Sequence, residues 1–195
     1  MALPRVSPRL LTLLLVCCAI GPGLAQAQPL LPVASGLNDP EGIAIDGSGH
    51  IFVAEKGNFL VREIASPGAP AQPIGGGLGP PSGVAVDHSG NVFVVDSGNS
   101  VVEELVADGG YVTTRLVGSG FRQPKAVAVD SQGNVFVADG TYIEEVTAAS
   151  GYNTVSVIGN GLQFANDLAI DANDRPCRDH RARELPQCDL PPLSS

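Results

Sequence analysis

Four aspartates recur at a near-constant interval: Asp46, Asp87, Asp130 and Asp171 stand 41, 43 and 41 residues apart. Carboxylates can ligate a divalent cation or move protons as general acids and bases. Two adjacent pairs, Glu103-Glu104 and Glu144-Glu145, invite the same chemistry. His50 and His88 fall in equivalent turns at different offsets, and His180 stands far downstream. None of these sets has the arrangement its chemistry needs. An acid at one position of every repeat serves the repeat, most simply by accepting turn N–H groups. A single active site would need a residue unique to one repeat. Neighbouring strand residues point to opposite faces, so neither glutamate pair is a two-carboxylate site; both are expected as exposed strand and edge charge. No histidine has a second histidine or a cysteine at ligand spacing, and no Asp-rich calcium loop is present. Gly-x-Ser-x-Gly and phosphate-loop patterns are also missing. The sequence therefore predicts no catalytic residue, no cofactor and no metal site.

The elements that carry these acids repeat as units. Pro40-Glu-Gly-Ile-Ala-Ile-Asp46, Pro81-Ser-Gly-Val-Ala-Val-Asp87 and Pro124-Lys-Ala-Val-Ala-Val-Asp130 align, and Ala165-Asn-Asp-Leu-Ala-Ile-Asp171 keeps the apolar centre without the proline. Gly36, Gly77, Gly120 and Gly161 give the same three spacings. A glycine turn follows each of the first three aspartates, and then a second apolar run: 51–54, 92–95 and 135–138. An acid and a short loop lead to a third run, at 61–64, 101–105 and 143–146. A fourth run, 111–117 and 152–158, precedes the next glycine, with a weaker version before Gly77. Short β-branched runs bounded by turn residues read as four antiparallel strands per unit. Ala44, Ala85, Ala128 and Ala169 recur in the innermost strand, where crowding at an axis favours a small side chain. Four-stranded units of about 40–45 residues are the blades of a β-propeller.

The pattern Pro-x-Gly-Val-Ala-Val-Asp-x-x-Gly-Asn-Val-Phe-Val-x-Asp-x-x-Asn resembles the NHL repeat. Residues 81–99 match almost throughout; 40–58 match with His50 for Asn and Glu55 for Asp; 124–139 match until the loop after Asp139, which is two residues shorter and lacks the loop Asn. The resemblance implies an all-β fold: an incomplete β-propeller of four-stranded antiparallel blades, about three blades plus the start of a fourth. The blades are expected at 36–76, 77–119 and 120–160, with a partial blade at 161–174.

The flanks differ from the repeats. Residues 1–27 read as a signal peptide: Arg5 and Arg9 are basic, residues 10–20 are apolar but too short to span a bilayer, and Ala25-Gln26-Ala27 suits cleavage after Ala27. Cys17 and Cys18 fall within that apolar run. No later segment is apolar enough to cross a membrane, so the mature chain is expected to be secreted or periplasmic. Beyond Asp174 the β-branched residues vanish and four arginines fall within nine residues. That break predicts an irregular tail over 175–195, read out of frame or ended early, with a natural cap as the alternative. Cys177 and Cys188 lie there; export would permit a disulfide, and two cysteines do not complete a zinc site.

Charge narrows the partners. Net charge is −9, and residues 28–174 hold 17 acids against five bases (Lys56, Arg62, Arg115, Arg122 and Lys125). No basic stripe exists, which disfavours nucleic acid and an anionic membrane surface. The loops before the first strand and after the second vary between repeats, and strand connectivity puts both on one face. Variation on a rigid frame is where recognition resides. The candidate binding face is Asn38, Lys56, Asn58, Ser97, Asn99, Arg122, Lys125 and Tyr142. The expected function is an exported, non-catalytic scaffold for a protein, peptide or carbohydrate, with self-association through open blade faces. The resemblance also extends to streptogramin lyases and gluconolactonase-like enzymes, which implies an alternative: part of a propeller lyase or lactonase whose catalytic blades are missing.

Overall fold

Glycine turns and β-branched runs produce three four-stranded antiparallel sheets in a computed structural model, which describes residues 32–162, 164–171 and 173–178. The expected leader, His180 and Cys188 lie outside the described residues. The first sheet is β1 (Pro40–Ile45), β2 (Ile51–Glu55), β3 (Leu60–Ile64) and β4 (Gln72–Ile74). The second is β5 (Pro81–Val86), β6 (Val92–Asp96), β7 (Val101–Val106) and β8 (Thr113–Leu116). The third is β9 (Pro124–Val129), β10 (Val135–Asp139), β11 (Tyr142–Val146) and β12 (Val155–Gly159). Each is a meander whose strands pair in sequence order. A fourth sheet begins with β13 (Leu168–Ile170) paired to β14 (Pro176–Arg178). The paired structure thus runs past the edge expected at 174. Asp171 explains this: its Oδ1 accepts the N–H groups of Asn173 and Arg175, which closes the hairpin as in the earlier repeats.

The repeated aspartates are turn organisers. Asp46 Oδ1 accepts Ser48 N and His50 N at 2.8 Å each, and Asp87 and Asp130 do the same for residues two and four ahead. Gly49, Gly90 and Gly133 stand at φ of +87°, +82° and +83°, a region that L side chains rarely enter. The following asparagine ties this turn to the next one. Asn91 donates to Asp87 Oδ2 and accepts Ala107 N; Asn134 donates to Asp130 Oδ2 and accepts Ala148 N. In the first blade His50 Nδ1 lies 3.2 Å from Asp46 Oδ2 and 3.4 Å from Glu63. In the fourth, Arg175 takes the position. Its backbone N–H and its guanidinium, with Asn173 N–H, hold the Asp171 carboxyl down at about 2 against a smaller upward push from burial.

The core lies between blades. Phe52, Ala54, Val61 and Ile74 of the first blade pack on Leu78, Val84, Val92 and Leu105 of the second. Phe93, Val95, Val102 and Val117 of the second meet Phe121, Val127, Val135 and Val146 of the third. Ala126, Ala128, Phe136 and Ile143 of the third meet Leu168 of the fourth. This sandwiching explains why the first two strands of each repeat are apolar on both faces.

Two expectations fail for the same reason. Tyr111 and Tyr152 do not start the fourth strands. They turn at φ +64° and set their rings edge-on against Phe52 and Phe93 of the preceding blade, 6.1 and 6.0 Å between centroids. The glutamate pairs are not exposed strand charge either: Glu104 is 3% exposed, and Glu103, Glu144 and Glu145 are half-buried. The third strand is also covered by the neighbouring blade. Burial pushes the Glu103, Glu104 and Glu144 carboxyls up; Asp96 adds to it for Glu103, Arg115 partly offsets it for Glu104, and Asp139 adds to it for Glu144. A carboxyl raised in the fold binds protons more readily folded than unfolded, so these three glutamates penalise the folded state at neutral pH and that penalty is relieved as pH falls toward the ordinary carboxylate range.

Neighbouring inner strands approach closely. A Cβ on Gly42 would lie 2.8 Å from Ser82 O, and one on Gly83 would lie 2.9 Å from Lys125 O. Gly83→Ala is expected to destabilise the chain by about 1–3 kcal/mol, the range for forcing atoms into a filled site. Gly76→Ala, where a Cβ meets open space, should stay within about 0.5 kcal/mol. Urea unfolding monitored by circular dichroism measures both.

Candidate functional site

A buried acid closes each second strand: Glu55, Asp96 and Asp139, at 0, 0 and 1% exposure. Glu55 and Asp96 each bind the two variable loops together, and Asp139 holds the loop before β9. Glu55 accepts Asn38 N from the loop before β1, and Asn58 Nδ2 and Arg62 Nε from the far side. Asp96 accepts Gly79 N at 2.6 Å and both the backbone and side-chain N–H of Asn99. Asp139 accepts Arg122 N and Gln123 N. Burial pushes the Glu55 carboxyl up, but hydrogen bonds from Asn58, Arg62 and Asn38, with the Arg62 charge, outweigh it and leave the group below its usual range.

These bonds sort the eight candidate residues. Asn58 and Asn99 are anchored to the buried acids, and Ser97 Oγ donates to Pro80 O at 2.7 Å. Asn38 reaches Asn58 Oδ1 at 3.0 Å. Arg122 lies over the Tyr142 ring, 5.8 Å from guanidinium carbon to centroid. Lys56 Nζ pairs with Glu41 Oε1 at 2.6 Å, and that bond raises its pKa. Lys125 is exposed and enters a groove that none of the other seven lines.

The groove has a volume of about 320 Å³ and is built by the innermost strands of all four blades. Glu41, Ser82, Lys125 and Asn166 occupy one repeat position around it, with Asp167 beside them. A β-bulge puts the first three there. Pro40 pairs with Glu55 and Gly42 with Ala54, so Glu41 is skipped; Ser82 and Lys125 are skipped in the same way. A bulge re-aims the extra residue's side chain. Ser82 Oγ donates to Lys125 O at 2.9 Å, which links the second and third blades at the groove wall. Glu41, Ser82, Asn166 and Asp167 were missed by the loop-based reading. Their signal was present: the residue after Pro40, Pro81, Pro124 and Ala165 is Glu, Ser, Lys and Asn, changing charge and size in every repeat. Among the described residues, no group of three or more His, Cys, Asp or Glu side chains is placed to hold a metal ion.

Residues 37–64 match the NHL repeat family. That match covers most of the first four-stranded propeller blade. No curated protein matches it. Several solved propeller structures do. A chain from a nidogen/laminin complex is 23% identical, with a TM-score of 0.64 over 71% of this chain and 56% of that one. A gluconolactonase from Xanthomonas campestris is 16% identical, with a TM-score of 0.65 over 77% of this chain and 58% of that one. A streptogramin B lyase is 10% identical, with a TM-score of 0.62 over 76% of this chain and 50% of that one. At these identities the likeness is one of fold. The chain spans about half the length of the structures it matches.

The buried acids and the groove residues should respond differently to mutation. Asp96→Ala strands three N–H donors and is expected to cost about 2–4 kcal/mol. Lys125→Ala removes an exposed side chain and should shift stability by less than about 0.5 kcal/mol. Denaturant midpoints of the two variants measure the contrast.

Proposed function

We propose that this chain is an exported, non-catalytic binding module that takes its ligand in the axial groove. One observation carries the reading: one repeat position, bulged in the first three blades, differs in every blade and lines the groove, while the repeated acids are consumed by the frame. Glu41, Lys125, Asn166 and Asp167 offer a carboxylate, an ammonium, an amide and a second carboxylate within one concave site. A peptide or a carbohydrate with several hydrogen-bonding groups suits that mixture better than an apolar ligand. The Lys56–Glu41 pair fixes one wall, and Ser82 fixes the opposite inner strands. The basic, apolar and small-residue succession of residues 1–27 supports export, and no helix among the described residues is long and apolar enough to cross a membrane.

A second reading has the chain as part of a propeller lyase or lactonase. The gluconolactonase and streptogramin B lyase likenesses favour it. The two readings separate by experiment. Peptide and glycan arrays probed with the purified chain should yield a ligand class whose affinity drops tenfold or more in Lys125→Ala and in Glu41→Gln, with the melting temperature unchanged. Opening of a lactone substrate or linearisation of a streptogramin by the chain, abolished by the same groove variants, would replace the binding reading with the enzymatic one.

A further inference from the structure

The hairpin turns carry an internal template for binding a carboxylate. Asp174 of the fourth blade reaches back to the turn of the third: its carboxylate accepts Ser131 N at 3.0 Å and Ser131 Oγ at 2.5 Å. Asp174 stands at the turn position that is glycine in the first three blades (Gly49, Gly90 and Gly133) and adopts φ +59° there. The Ser131 hydroxyl and backbone bonds hold the Asp174 carboxyl below its usual range, against burial and the Asp171 charge. One interface earlier the same arrangement is half empty. His88 takes the position of Ser131, and Gly133 takes the position of Asp174. A pocket of about 260 Å³ lies between these two turns, lined by His88, Ser89, Ser131, Gln132, Gly133 and Tyr152. Among the described residues the His88 backbone N–H has no hydrogen-bond acceptor.

We propose that this pocket binds the carboxylate of a small hydroxylated acid, which takes the place that the Asp174 side chain fills one blade on. The His88 backbone N–H corresponds to that of Ser131, and the imidazole N–H replaces the Ser131 hydroxyl as second donor. Asp87 and Asp130 also line the pocket, and both are already saturated. Asp87 accepts Ser89 N, Asn91 N and Asn91 Nδ2, and Asp130 accepts Gln132 N, Asn134 N and Asn134 Nδ2. The template shows that a further carboxylate is tolerated in such company, since Asp174 is stabilised as an anion despite Asp171. Ser89, Gln132 and Tyr152 add hydroxyl and amide groups, which suit the hydroxyls of the ligand. The site is separate from the axial groove, and no residue lines both.

Amide-resolved NMR of the purified chain, titrated with sodium glucuronate, tests the site. The His88 amide should shift saturably, with Ser89 and Gly133 following, and acetate should move the same amides with weaker affinity. Glucose, and sodium chloride at matched ionic strength, should leave them in place. Gly133→Asp supplies the carboxylate from the chain itself, as Asp174 does. In that variant the His88 amide should shift in the bound direction without ligand, and glucuronate affinity should fall tenfold or more. His88→Phe, at an exposed position, gives a second reading that does not depend on the turn backbone: affinity should fall with the melting temperature unchanged. A His88 amide that ignores glucuronate, that responds equally to glucose or salt, or a Gly133→Asp chain that folds and binds glucuronate as tightly as before, would overturn the carboxylate site.

Discussion

At Gly42 and Gly83 neighbouring inner strands approach more closely than a side chain permits, and much of the remaining architecture follows from that contact. Gly42 and Gly83 leave no room for a Cβ against the next blade's backbone. Ala44, Ala85 and Ala128 face the same constraint one step along the strand. Beside that contact the bulged residues Glu41, Ser82 and Lys125 line the groove. The tight packing that stabilises the blades is thus also what assembles the groove. Ser82 shows the coupling in one residue, since it lines the groove and bonds the next blade's carbonyl.

The acids divide between frame and groove. Those of the hairpin turns and those closing each second strand are saturated by N–H donors, and a saturated buried carboxylate is a joint, not a reagent. The turn aspartates hold one side of the disc and Glu55, Asp96 and Asp139 hold the other. Glu104, by contrast, sits at a blade interface and, among the described residues, has Arg115 as its ion-pair partner at 3.4 Å. Burial dominates there, and its carboxyl is raised, whereas that of Glu55 is lowered.

The blade was legible in the sequence because its determinants are local. Asp, Gly and Asn at fixed offsets specify one hairpin, and that hairpin recurs at a countable interval. The groove was less legible. Glu41, Ser82 and Asn166 lie in a run that reads as a strand, and alternation alone assigns a strand residue to one face or the other. Only the skipped register at the bulge reveals the third direction. The same limit hid the burial of Glu104, because the covering surface comes from another blade 40 residues on. Tyr111 and Tyr152 looked like strand residues for their aromatic character, but their partners, Phe52 and Phe93, also lie in the preceding blade. Contacts between blades are what a single repeat cannot show.

Inter-blade packing as the source of stability is tested most directly by native-state hydrogen exchange. Inner strands β5 and β9, covered by blades on both sides, should exchange only through global unfolding. Outer strands β8 and β12 should open at least tenfold faster, by local fraying. Equal protection of inner and outer strands, or blades that open one at a time with β5 exchanging independently of β9, would contradict the account.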